Sequence, residues 1–215
     1  MSDIFNEVDE ELRRDRALEL WRRYGKYAVA GALAIVLATS AAVGWREYQT
    51  RQRASEGERF AAAVADARAW RSAEAAAAFA ALADTAKSGY AALARFREAA
   101  SLVQSGKIKD AVAAYDRLAL DNASDKALRD LARLEAAMLL METASAEEVM
   151  ARLKPLAAEG AMRHLARELE AVLLLKSGKT AEVKAALARL ADDAEAPAGV
   201  RGRAAELLAA LGGAG

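Results

Sequence analysis

Apolar positions along the chain follow two patterns. From Tyr27 to Trp45, nineteen residues (YAVAGALAIVLATSAAVGW) run without a charge between Lys26 and Arg46. As a helix at roughly 1.5 Å per residue this stretch is about 28 Å long, close to the ~30 Å hydrocarbon layer of a bilayer, and it predicts one transmembrane helix. Trp21, Tyr24 and Tyr27 flank it on one side and Trp45 and Tyr48 on the other, where amphipathic rings favour the headgroup boundary. Outside the span the apolar residues recur at helical spacing. Ile4, Val8, Leu12, Leu20, Trp21 and Tyr24 predict an amphipathic helix over 1–26, either a solvated extension or a docking segment for a membrane partner.

After the span the pattern repeats. The triplet Leu-Ala-Arg occurs at Leu93, Leu131 and Leu165, with offsets of 38 and 34 residues. The same offsets align Ala99, Ala137 and Ala171; Gly106, Ala144 and Gly178; Tyr115, Leu153 and Leu187; and Leu118, Leu156 and Leu190. A fourth copy lies 36 residues upstream, where Phe60, Ala63, Phe79 and Leu82 match Phe96, Ala99, Tyr115 and Leu118. A period near 36 made of two helices predicts an α-solenoid of about four helix pairs, each burying its apolar face against its neighbours. Gly106 and Gly178 end the first helix of their pairs. Pro197 opens a capping helix carrying Val200, Leu207, Leu208 and Leu211. The predicted fold is therefore all-α. Residues 1–26 form a cytoplasmic segment, 27–45 a transmembrane helix, 46–211 a periplasmic repeat domain, and 212–215 a flexible tail.

Composition narrows the function. Only two prolines and 31 basic against 31 acidic residues describe a helical chain with solvated charged faces and no basic field for nucleic acid. The chain has no cysteine, which removes disulfides and thiolate metal sites, and its one histidine, His164, cannot make a two-histidine site. His164 reads as a surface or capping residue. Gly178-Lys179-Thr180 resembles the end of a phosphate loop, but Leu173 replaces the upstream glycine and no strand precedes it. Glu147 and Glu148 belong to a solvated charged face. No catalytic residue, metal, cofactor or small-molecule substrate is expected.

The small residues Ser40, Ala41 and Ala42 offer a signal-peptide cleavage site. The 26 residues of mixed charge before the span, and the boundary residues Trp45 and Arg46 after it, favour a retained anchor. Six basic residues precede the span and four follow within 15 residues, which places the N-terminus in the cytoplasm.

The spacing of Gly106, Ala111 and Tyr115, with Ala99 seven residues before the glycine, resembles the tetratricopeptide consensus. Arg95 and Glu98 stand where that consensus has an aromatic residue and a leucine. The N-terminus, DIFNEVDEELRRDRALELWRRYGKY, the span, then GWREY, resembles the single-pass tetratricopeptide-like proteins that serve as ancillary subunits of the Sec translocon. The resemblance implies a bacterial inner-membrane protein with its repeat domain in the periplasm. Its implied partners are translocon subunits, a periplasmic chaperone, and unfolded or nascent secretory chains. The other reading is a periplasmic scaffold for a different envelope process, such as cytochrome maturation or cell-wall assembly. In a tetratricopeptide-like solenoid the first helices of the pairs line the concave side. Phe60, Val64, Phe96, Val103, Leu134, Met138, Met141, Val172 and Leu175 then form an apolar stripe, read either as a partner-binding groove or as core.

Overall fold

The structure is a computed structural model that describes residues 2–212. Within the first helix, side chains are described at 14, 18–27 and from 29 onward, so those of Ile4, Val8 and Leu12 lie outside the described residues, as does the predicted tail beyond Gly212. The described residues form nine helices and no strand: α1 Ser2–Arg68, α2 Ser72–Thr85, α3 Tyr90–Gln104, α4 Ile108–Leu120, α5 Lys126–Leu140, α6 Ala146–Ala158, α7 Arg163–Lys176, α8 Thr180–Asp192 and α9 Ala198–Gly212. They fall into two compact units, Met1–Ser55 and Glu56–Gly215.

In the first unit the predicted amphipathic segment and span run through one uninterrupted helix, α1. From Leu18 to Arg68 it is long and apolar enough to cross a membrane, by length and composition. Its described apolar side chains are exposed, including Leu33, Ile35, Val36 and Leu37, so nothing within the chain covers them. Cations and rings gather where the apolar stretch ends. Arg23 lies 5.6 Å from the Tyr24 ring centroid, Lys26 lies 5.1 Å from that of Tyr27, and the Trp45 and Tyr48 rings are 6.0 Å apart.

In the second unit the last turns of α1 pack on α2, α3 pairs with α4, α5 with α6 and α7 with α8, and α9 packs over the end. Alanine makes the close packing possible: the equivalents Ala63, Ala99, Ala137 and Ala171 are each at most 1% exposed, so paired helices approach without a side chain between them. Larger residues fill the space between pairs. Tyr115, Leu153 and Leu187 are buried in step, as are Leu118, Leu156 and Leu190. Gly57 admits the Tyr90 ring, whose hydroxyl lies 3.0 Å from where a Cβ would stand.

Side chains cap both helices of the α5–α6 pair. Asp125 accepts from the Ala127 N–H at 2.8 Å, and Ser145 from the Glu148 N–H at 3.2 Å. Pro197 opens the capping helix, its carbonyl accepting from the Val200 and Arg201 N–H groups. Val200, Ala204, Leu207, Leu208 and Leu211 then close over Ala171 and Leu187.

Candidate protein-interaction surface

Three positions of the first helix in each pair carry the predicted apolar stripe, and the structure sends them in different directions. Phe60, Phe96 and Leu134 turn toward the second helix of their own pair. Phe60 stacks 5.3 Å from Phe79, Phe96 stands 5.3 Å from Tyr115 edge-on, and Leu134 is 3% exposed beside Leu153 and Leu156. Leu134 is core, while Phe60 and Phe96 are half-buried and pack against core clusters with part of each ring still open.

Val64, Met138 and Val172 occupy the next position, one turn on. Met138 is 47% exposed, and neither it nor Val172 belongs to a core cluster, whereas Val64 rests on the first one. Val103, Met141 and Leu175 are half-buried and pack on successive clusters. Met138 is thus the one exposed residue of the stripe, and its repeat equivalent Val172 is half-buried.

The core position has a variant in the last repeat. Glu168 stands where Phe96 and Leu134 stand in earlier copies, and it is buried. The carboxylate is held by a fork from the capping helix, with Arg203 Nε and an Arg203 terminal nitrogen donating at 2.6 and 2.7 Å. The charge thus ties α9 to α7 where another apolar contact would be interchangeable.

Two clefts are copies of one another. One, about 550 Å³, is lined by Arg95, Glu98, Ala114, Arg117 and Asp121; the other, about 450 Å³, by Arg167, Glu170, Ala186, Arg189 and Asp193. Every pair of these residues is 72 positions apart, two repeats. The arginine of Leu-Ala-Arg explains the likeness, because it reaches the acid that follows the second helix of its pair: Arg95 bonds Asp121, and Arg167 lies 3.6 Å from Asp193. In the first repeat the equivalent Arg59 donates to Thr85 at 3.1 Å. The third repeat breaks the pattern, with Pro155 in place of Arg117 and Arg133 drawn to Asp130 at 3.9 Å. Burial pushes the Glu98 and Glu170 carboxyls above the ordinary carboxylate value, against the pull of Arg117 and Arg167 respectively. Hydrogen bonds from Ser124 and the Ala123 N–H hold Asp121 below it.

His164 corrects its expected placement. It is the second residue of α7 and is 5% exposed, with Nδ1 3.5 Å from an Asp193 oxygen and neither ring nitrogen hydrogen-bonded. Placing a histidine at the helix start suggested solvent, but the acid following α8 folds back over it.

Among the described residues no group of three or more potential ligands is placed to hold a metal ion. A family model described as a tetratricopeptide repeat-like domain matches residues 19–206. The chain belongs to the tetratricopeptide repeat-like family. No curated protein and no solved structure matches it. A tetratricopeptide-like domain is a protein-interaction module, and its surface here holds an accessible methionine and two charged clefts. A third cleft, about 460 Å³, opens between α6 and α7 over Met150, Leu173 and Leu174. Its lining includes Ala146, which aligns with Ile108 of the preceding tetratricopeptide-like repeat.

Reading the sequence alone missed the paired clefts. Their signal was present in the 72-residue register of Arg95, Glu98, Arg117 and Asp121 with their copies. It was also missed that Trp70 aligns with Gly106 and Gly178. Trp70 has φ +60°, against +76° and +72° for those glycines. Its turn has the same bonds: the Trp70 and Gly106 N–H groups donate to Ala67 and Val103, and the Arg71 and Lys107 N–H groups to Asp66 and Leu102. A left-handed residue with a Cβ costs about 1–2 kcal/mol, yet tryptophan stands here.

Proposed function

We propose that this protein is a bacterial inner-membrane protein, anchored by one helix with its N-terminus in the cytoplasm, whose tetratricopeptide-like unit binds proteins in the periplasm as an ancillary part of the Sec translocon. The reading is carried by the exposed apolar stretch of α1, edged by aromatic residues and long enough to cross a membrane, in a chain that belongs to a family of interaction modules. The resemblance of residues 3–27 to the ancillary translocon subunits supports the choice of partner. Translocon subunits meet the anchor and the cytoplasmic segment. Emerging secretory chains or a periplasmic chaperone meet the face around Met138, where a flexible thioether suits varied apolar segments.

Photo-crosslinking in native membranes tests this. A photoreactive residue at Tyr24 is expected to capture translocon subunits, and one at Met138 a secretory chain or chaperone. Adducts confined to proteins of another envelope process, or a periplasm-only reporter that stays inactive when fused after Gly215, would overturn the assignment.

A further inference from the structure

Trp70 meets opposing demands. Its backbone occupies the left-handed turn position for which glycine serves in the second and fourth repeats, and its indole is 85% exposed. Neither property helps the fold, since glycine makes the turn without strain and an exposed ring gains nothing from burial. An outlier that the fold does not need points to a use outside it.

The surroundings state the chemistry. Trp70 walls a cleft of about 310 Å³ whose apolar floor includes Val64, Phe79 and Ala100, and whose charged lining is Arg68 and Arg97. Both guanidinium groups belong to exposed residues, and among the described residues neither is in an ion pair. Their neighbours differ: Arg71 is bonded to Asp66, and Arg95 to Asp121. The cleft's lining carries no acidic residue, so an entering carboxylate meets two guanidinium groups and no like charge there. Tryptophan and arginine are the residues most enriched at the energetic centres of protein interfaces, where a ring supplies area and guanidinium groups bind carboxylates.

We propose that the Trp70 cleft is a docking site for an acidic peptide segment of a partner protein, one that places an apolar side chain over Val64 and Ala100 and a carboxylate between Arg68 and Arg97. This deepens the protein-binding reading above and rests on it. Trp70 is the anchor of the site, and its strained turn fixes the ring at the cleft's edge.

The full chain in neutral detergent, panned against phage-displayed random peptides, tests the proposal. The enriched sequences are expected to carry aspartate or glutamate beside an aromatic or aliphatic residue. Their affinity should fall by about 30-fold in Trp70→Gly, the loss typical of an interface anchor. The same substitution should leave the thermal midpoint unchanged or raise it, because glycine relieves the turn; this separates lost binding from lost folding. Arg97→Glu should weaken acidic peptides and favour basic ones. Enriched peptides without acidic bias, or equal binding by Trp70→Gly, would overturn the site. So would quenching of Trp70 by brominated lipid in nanodiscs, in a chain carrying Trp21→Phe and Trp45→Phe, because the ring would then face a membrane. If wild-type Met138 crosslinks fail as well, the broader protein-binding reading falls; if they form while the enriched peptides lack acidic bias, only this cleft does.

Discussion

The two units use the same residue types in opposite ways. Between Tyr27 and Trp45, leucine, valine and alanine face outward on every side of α1; from Glu56 onward they face inward, with alanines at the closest approaches. Composition therefore does not decide burial. What decides it is period. An apolar residue at every position around a helix leaves no polar face to present to water, whereas apolar residues at every third or fourth position leave one face for packing and one for solvent.

The largest expected effect breaks the contrast at its first member. Leu33→Arg together with Leu37→Arg places two cations near the centre of the apolar stretch, each costing about 2.5–3.5 kcal/mol on insertion scales. The protein should then appear in the supernatant of an alkaline membrane extraction. Retention in the pellet would show that the stretch is not the anchor.

On the repeat side, Leu153→Ala or Tyr115→Ala opens a cavity between packed helices and should cost about 2–5 kcal/mol, read from denaturant unfolding, with no change in extraction. An unchanged midpoint would mean the pairs do not pack as described.

These two outcomes bear on how far the sequence was readable. The small residue at Ala99, Ala137 and Ala171 and the filler at Tyr115, Leu153 and Leu187 were visible because each recurs at the same distance from its Leu-Ala-Arg triplet, alanine in the first case and a large apolar residue in the second. The apolar stripe was only half readable. Phe96 and the position four residues later lie about 40° apart on a helix, too little for periodicity to say which one turns inward. Glu168 was invisible as core, since its partner Arg203 sits 35 residues on and nothing in a local pattern links them. The turn at Trp70 escaped because the aligned repeats put glycine there, and a tryptophan argues locally against a left-handed turn.

A smaller effect sharpens the comparison inside the repeats. Glu168→Leu restores the residue type of the earlier copies and should leave stability unchanged or raised. Arg203→Ala should lower it, because the carboxylate stays buried without its partner. Equal losses in both variants, measured as thermal midpoints, would mean that the charge pair itself holds the capping helix.

The smallest effect is electrostatic. Burial raises Glu98, Glu135 and Glu170 above their reference value of 4.5. A folded state that holds these protons more tightly than the unfolded chain gains stability as pH falls through the raised values toward 4.5, and loses it as pH rises. Asp121 acts the other way, its contribution present above its reference value of 3.8 and lost as pH falls through its lowered one. Glu135→Gln should therefore slightly raise the midpoint at neutral pH and flatten the gain on mild acidification. A steeper acid dependence in the variant would contradict the sign. Burial, then nearby Glu135, pushes the Tyr115 hydroxyl up to about 12, so Tyr115 should stay protonated through the whole titration.

The order of contacts has a consequence for assembly. Among the described residues of the second unit, helices approach mostly those next to them in the chain, from α2 with α3 through α8 with α9, and the skips that occur, such as α3 with α5 and α7 with α9, pass over a single helix. Such local closure makes folding fast and lets it start at any pair and spread. Each pair has its packing partner once the following helix has been synthesised, so the unit can be built stepwise as the chain emerges. The unit is complete when α9 emerges and lays its apolar face over Ala171 and Leu187, with the Arg203 fork meeting Glu168 alongside.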